Sequence, residues 1–195
     1  MSMHCPTCRT TALQEIAAIE QVPVHCNTLH DTPELARAAT RGDIVLGFCD
    51  HCSMIYNTAF DETLLSYSQD YENSLHFSPR FQDYATGLAN DLLQNYGSTD
   101  LDILEIGCGK GDFLKLLTAH GANRCVGYDA SFQESVNPTT GIPGLNIYPE
   151  FFSPDIHKER ADLLINRHVL EHMANPIGFA RTLGQGLKDS ATASI

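Results

Sequence analysis

The sequence predicts an α/β protein in which a small cysteine-rich domain precedes a parallel β-sheet. Two Cys-x-x-Cys pairs lie in the first third of the chain, and short apolar runs alternate with helix-like segments in the second half. Such alternation is typical of βα units that build a parallel sheet. We expect a cysteine-rich domain over residues 1–57, a helical bridge over 58–100 and the sheet domain over 101–195.

The composition limits the classes of function. The chain has 195 residues, 43% of them hydrophobic, which suits one large domain with a small module. Its 12 Lys and Arg against 24 Asp and Glu give a formal net charge of −12, which argues against a general nucleic-acid or anionic-membrane surface. No apolar run approaches the roughly 18 residues of a membrane span, and no secretory signal is recognisable. We therefore expect a cytoplasmic protein that binds neither nucleic acid nor membrane.

The four paired cysteines predict a metal site. Cys5 and Cys8 form one knuckle, and Cys49 and Cys52 form another. Four thiolates suffice for tetrahedral Zn²⁺, and in a chain without a secretory signal this pattern indicates metal binding before disulfides. A closed four-cysteine site has no open position, so the role of zinc would be structural. Reduced thiols and a redox pair remain alternatives, and Cys26 or a nearby histidine could replace one ligand.

The second knuckle is expected at the tip of a hairpin. An apolar run at residues 44–48 precedes it, and residues 54–56 form the returning strand. Between the knuckles, Thr32 and Pro33 fit the N-cap and the first position of a short helix.

The bridge should contain one long helix. Ser78 and Pro79 fit its N-cap and first position, and Gly97 is a suitable stop. Four aromatic or imidazole side chains ahead of it could line a cleft or simply pack: Tyr67, Tyr71, His76 and Phe77. A tyrosine hydroxyl there could orient a substrate, which makes Tyr71 a candidate catalytic residue.

The strongest signal is a glycine turn between a predicted strand and a predicted helix. The apolar run of residues 101–106 predicts a buried strand, and Gly107, Gly109 and Gly111 follow it. Glycines at such a turn let bare backbone approach a ligand at a helix N-terminus. A dinucleotide site would carry Gly or Ala where Asp112 stands. A nicotinamide or flavin site and a turn without a ligand remain the alternatives.

Three further strands are expected after the glycine turn. They cover residues 125–129, 145–148 and 162–166. The first ends in Asp129, whose carboxylate could accept both hydroxyls of a ribose or cap a helix. The last leads into Asn166, Arg167 and His168 at the carboxyl edge of the sheet, where open α/β folds bind ligands. An imidazole can accept a proton near neutral pH, so His168 could act as a general base.

The C-terminal part is expected to contain one helix and no further strand. Asn175 and Pro176 begin the helix, and Leu183 and Leu187 would share one of its faces. The polar segment 188–195 predicts a weak tail. The sheet would then have about four strands and an unpaired edge, which a second copy or a partner chain could complete.

Together these motifs resemble class I S-adenosylmethionine (SAM) methyltransferases with an N-terminal zinc-binding domain, a group that includes sugar C-methyltransferases. The resemblance rests on the two knuckles, on Glu105 before the three glycines, on Asp129 and on the His-Val-Leu-Glu-His run at 168–172. It implies a Rossmann-like sheet and methyl transfer from SAM to a small-molecule acceptor, such as a carbon of a nucleotide-linked sugar. The implied SAM-binding residues are Glu105, Gly107, Cys108, Gly109, Gly111, Asp129, Asn166 and His168.

The resemblance also implies a longer protein. Class I sheets have more strands than the number predicted here, and members of this group carry a further C-terminal domain. We therefore expect a truncated form of the family, a fragment, or a half-site that needs a partner chain. A second interpretation follows, namely a zinc-containing SAM-binding module, or half-site, without independent catalytic activity.

Overall fold

The chain forms two compact units, residues 1–73 and 74–195, and each is built on its own sheet. The computed structural model describes residues 4–11, 13–25, 28–64, 75–97, 100–121 and 124–194. No helix within these ranges is both long and apolar enough to cross a membrane.

The first unit is a three-stranded antiparallel sheet in the order β1-β2-β3. Its elements are β1 (Leu13–Pro23), α1 (Pro33–Arg37), β2 (Arg41–Cys49) and β3 (Ile55–Asn57). The second knuckle joins β2 to β3, which confirms the predicted hairpin. Helix α1 also begins as predicted, because the Thr32 hydroxyl accepts the Leu35 N–H at 3.2 Å and so satisfies a donor of the first turn.

Strand β1 does not follow from the sequence reasoning. All but two of its residues are exposed, so it has no buried face to impose an alternation of apolar and polar side chains. Irregularities between Glu15 and Ala17 and between Ile19 and Val22 interrupt its pairing with β2. This strand is defined by its backbone hydrogen bonds to β2, which the periodicity of apolar residues in a sequence does not indicate.

The second unit is a five-stranded parallel sheet in the order β6-β5-β4-β7-β8, with helices packed against it. Its strands are β4 (Asp102–Ile106), β5 (Arg124–Tyr128), β6 (Leu145–Tyr148), β7 (Ala161–Ile165) and β8 (Leu187–Ser194). Its helices are α2 (Pro79–Tyr96), α3 (Asp112–Ala119) and α4 (Pro176–Gln185). This architecture confirms the predicted α/β class. The chain runs outward from β4 to β6 and then returns to the other side of β4, which makes the β4–β7 boundary a topological switch point.

The prediction that segment 188–195 is a weak tail is wrong, because its described residues, 188–194, belong to a fifth strand. Strand β8 pairs in parallel with β7 and covers the edge that was expected to be unpaired. Leu187, predicted on a helix face, is its first residue. The polar side chains misled the prediction because an edge strand is held by backbone hydrogen bonds whatever its polarity, and Lys188 is paired with Asp162 at 2.8 Å.

The core of the second unit lies on both faces of the sheet. Ile103 and Leu163 face the side covered by α2 and α3, whereas Leu104 and Leu164 face the side covered by Leu183 of α4. Successive residues of one strand are therefore buried on opposite faces, which explains why apolar residues follow one another in these strands.

Candidate functional site

The glycine turn lies at the carboxyl end of β4 and leads into α3. Gly107, Gly109 and Gly111 have φ angles of 76°, 56° and 74°, in the left-handed region that other residues rarely adopt. Gly111 is the N-cap of α3, and no described side chain caps this end. The turn therefore lets a ligand approach the backbone and the positive end of a helix dipole.

Packing within the protein also requires two of these glycines. A Cβ at Gly107 would collide with Cγ2 of Val169, and a Cβ at Gly111 would collide with Cδ1 of Ile147. The sequence predicts glycine at this turn for the approach of a ligand. The structure adds that side chains from β6 and from the segment after β7 fill the space beside the turn.

Asp129 follows β5 and is bound to the glycine turn. Its Oδ2 accepts the Gly109 N–H at 2.8 Å, and its Oδ1 accepts the backbone N–H and the hydroxyl of Ser131 at 2.8 and 2.6 Å. A carboxylate has about four lone-pair positions, two on each oxygen, so Oδ2 retains the capacity to accept one further donor. The structure thus brings Asp129 and the turn together.

Glu105 is buried and forms an ion pair with Arg167. Its side chain is 1% exposed, and its Oε1 accepts from Nε and Nη2 of Arg167 at 3.2 and 3.0 Å. The guanidinium carbon also lies 3.7 Å from the centre of the Phe113 ring, which adds a cation–π contact. Burial raises the pKa of Glu105, and the positive charge of Arg167 opposes that rise. The sequence reasoning did not predict this pair.

Asn166 and His168 flank Arg167 but lie in different surroundings. Asn166 is buried, and its Nδ2 donates to the Ile106 carbonyl at 2.8 Å, which ties the ends of β7 and β4 together. The side chain of His168 is 65% exposed, with its Nδ1 4.0 Å from the Glu171 carboxylate. Its φ of 57° is strained for a non-glycine residue, and such strain clusters at functional sites.

Cys108 contributes backbone to the turn, and its thiol is packed in the core. Its side chain is buried, and a Cβ at Gly127 would approach its Sγ to 2.7 Å. Burial raises the pKa of the Cys108 thiol, so the sulfur stays protonated near neutral pH. Its carbonyl accepts the Gly111 N–H at 2.9 Å and closes the turn.

A cavity of about 480 Å³ lies beside α2 and α3. His76, Gln82, Asp112 and Lys115 are among the residues that line it. Burial lowers the pKa of His76, which favours the neutral imidazole. Of the other predicted cleft residues, Phe77 is exposed, whereas Tyr67 and the candidate catalytic residue Tyr71 lie outside the described residues.

The four knuckle cysteines come together in the first unit. The Sγ atoms of Cys5 and Cys52 are 3.6 Å apart, as are those of Cys8 and Cys49, and all four lie within 4.8 Å of one another. These distances exceed the ~2.05 Å of a disulfide bond. They are close to the ~3.8 Å edge of a sulfur tetrahedron with Zn–S bonds of ~2.3 Å. The arrangement fits Zn²⁺.

Thr10 adds to the chemistry of this cysteine cluster. Its hydroxyl lies 3.1 Å from Sγ of Cys8, and hydrogen bonds from Thr10 lower the pKa of Cys8 to about 5. Burial and the neighbouring thiols act in the opposite direction on Cys52 and raise its pKa to about 12. Metal binding requires thiolates, and within this set the contact with Thr10 favours the thiolate at Cys8.

The chain is similar to several solved structures over more than half of its length. For the plantazolicin methyltransferase BpumL bound to a monoazolic desmethylPZN analogue and SAH, identity is 22%, the TM-score is 0.43, and 58% of this chain and 45% of that chain are covered. For DhpI in a complex with SAM and HEP, identity is 20% and the TM-score is 0.46, with 60% of this chain and 55% of that chain covered. For YjhP from E. coli, identity is 17% and the TM-score is 0.48, with 64% of this chain and 52% of that chain covered. The chain thus spans about half the length of each.

A family model provides the assignment. No curated protein matches the chain. The model described as "Methyltransferase domain" matches residues 79–195, which is more than half of the chain. The matched range contains α2, the glycine turn and all five strands of the parallel sheet. The chain therefore belongs to the methyltransferase-domain family.

Proposed function

We propose that the second unit binds SAM and transfers its methyl group to a small-molecule acceptor. The main support is the glycine turn at the switch point, where Asp129 is hydrogen-bonded to Gly109 at 2.8 Å in a chain of the methyltransferase-domain family. SAM supplies an electrophilic methyl group on its sulfonium, and a nucleophilic atom of the acceptor receives it.

The residues at the carboxyl edge would hold different parts of SAM. Asp129 accepts a ribose hydroxyl with the remaining capacity of its Oδ2. The backbone of the turn, together with Glu105 and Asn166, surrounds the amino-acid end. The turn residues concerned are Gly107, Cys108, Gly109 and Gly111. Because hydrogen bonds already fix these groups, they are positioned before the cofactor arrives.

The exposed side chain of His168 is the candidate for contact with the acceptor. Its position at the sheet edge allows it to orient the acceptor or to take a proton from it. Tyr71 remains a second candidate from the sequence. The acceptor class that the sequence resemblance favours is a nucleotide-linked sugar methylated at carbon.

We further propose that the cysteine cluster of the first unit holds a structural Zn²⁺. The 3.6 Å sulfur separations support a tetrahedral site, and four protein ligands leave no position for a substrate. In this proposal Cys5, Cys8, Cys49 and Cys52 stabilise the first unit, and the chemistry belongs to the second.

A second candidate function is a zinc-containing SAM-binding module without turnover. Calorimetric titration with SAM, combined with mass-spectrometric detection of S-adenosylhomocysteine (SAH) after incubation with candidate acceptors, distinguishes the two. SAH formation with an acceptor supports the enzyme. SAM binding without SAH formation supports the module, and absence of SAM binding contradicts both.

A further inference from the structure

The Glu105–Arg167 pair leaves buried polar atoms without partners at the carboxyl edge of the sheet. Within the described ranges, Nη1 of Arg167, Oε2 of Glu105 and Oδ1 of Asn166 have no hydrogen-bond partner although they are shielded from solvent. These are three of the six such side-chain atoms found there. Because buried polar groups are normally paired, their concentration on three neighbouring residues indicates a ligand that completes them.

The chemistry of these atoms defines the ligand. A guanidinium has a side edge, formed by Nε and Nη2, and an end edge, formed by Nη1 and Nη2. Glu105 occupies the side edge, so the end edge of Arg167 remains for a second carboxylate. Oε2 of Glu105 is an anionic acceptor suited to an ammonium group. An α-amino acid carries a carboxylate and an ammonium on one carbon, and these two groups match Nη1 of Arg167 and Oε2 of Glu105.

We propose that Arg167 is a specificity residue for the amino-acid end of the cofactor, with Nη1 donating to its α-carboxylate while Oε2 of Glu105 accepts from its α-ammonium. The inference rests on the proposed function, since it assigns that end of SAM. The Phe113 ring 3.7 Å from the guanidinium carbon holds the group in place, and the 15% exposure of the Arg167 side chain puts it where the core meets the sheet edge.

The test compares three probes that differ only in this end of the molecule. SAH carries the carboxylate and the amine, decarboxylated SAH carries the amine alone, and methylthioadenosine carries neither. Arg167→Lys keeps a positive charge beside buried Glu105 but replaces the fork by a point charge. We expect it to weaken SAH binding at least tenfold, to change the binding of decarboxylated SAH less than twofold, and to leave methylthioadenosine unaffected.

Glu105→Gln provides a second, independent pattern. It removes the anionic acceptor, so we expect at least tenfold weaker binding of both amine-carrying probes and unchanged binding of methylthioadenosine. Lys188→Met is the matched control, because it removes an ion-pair cation at the opposite, amino-terminal end of the sheet. All three affinities should stay at the wild-type level in this control.

The outcomes separate this inference from the function on which it rests. Equal losses for the three probes in Arg167→Lys, or no loss for any, would overturn the role of Arg167. Should that variant fail to fold, the pattern of Glu105→Gln decides, and equal effects on SAH and methylthioadenosine would reject the assignment. Failure of the wild-type protein to bind any probe would instead reject the proposed SAM site.

Discussion

Replacing Asp129 by Asn tests the link between the glycine turn and the ribose of the cofactor. The carboxylate accepts three hydrogen bonds, one from Gly109 at 2.8 Å and two from Ser131 at 2.8 and 2.6 Å. An amide has one acceptor oxygen, so the variant loses part of this set together with the negative charge offered to the ribose. Since a hydrogen bond to a charged group contributes about 1.5–3 kcal/mol, we expect SAH affinity to fall roughly 10- to 100-fold.

Calorimetric titration with SAH measures this affinity, and thermal unfolding of the same samples reports the stability of the fold. Ser131→Ala is the matched control, because it removes one hydroxyl donor and leaves the carboxylate and its bond to Gly109 intact. Its SAH affinity should change by less than about threefold, since only a neutral donor is lost. Wild-type affinity in Asp129→Asn, with the control also unchanged, would show that Asp129 does not contact the ribose.

Three further predictions concern stability. Removal of zinc by a chelator, or Cys49→Ser, should lower the unfolding temperature of the first unit and release about one equivalent of metal. A metal-free protein with an unchanged unfolding temperature would contradict the zinc site. Gly111→Ala should destabilise the second unit by at least about 2 kcal/mol in denaturant unfolding, because left-handed strain adds to a collision with a β6 side chain. Gly184→Ala, where an added Cβ meets nothing within 4 Å, is the control and should be neutral or stabilising. A hydrogen bond from Lys188 lowers the pKa of Asp162 in the folded state. The stability that this contact contributes is therefore fully present above the unfolded-state pKa of about 4, and it is lost as the pH falls through the lower folded-state pKa. Acid titrations of unfolding should show a smaller loss over this range in Lys188→Met, and identical profiles would refute the linkage.

The central strands could be predicted because their side chains report their environment. Strands β4 and β7 are buried on both faces, and each therefore contains consecutive apolar residues. Strands β1 and β8 could not be predicted, because they bury no continuous apolar face and are held by backbone pairing. Side-chain patterns do not contain that information, which explains both the missed strand and the misassigned tail.

Part of the candidate site could likewise be predicted from the sequence, and part could not. The contact between Asp129 and the glycine turn could be anticipated, because both follow adjacent parallel strands whose carboxyl ends meet at one edge. The Glu105–Arg167 pair depends on register, namely on Ile165 lying opposite Glu105 so that Arg167 extends past the end of β7. Sequence order alone does not give the register between strands that are distant in the chain. The signal that could have indicated the pair is an arginine shortly after one buried strand and an acidic residue within another.

The collision between a Cβ at Gly107 and the Val169 side chain has an evolutionary consequence. The two positions share one volume, so a larger residue at 107 could be accommodated only if position 169 became smaller. The positive φ of Gly107 adds a second barrier to such an exchange. Among related sequences, drift at these positions should therefore be correlated, with valine at 169 free to vary only toward side chains that leave the glycine undisturbed.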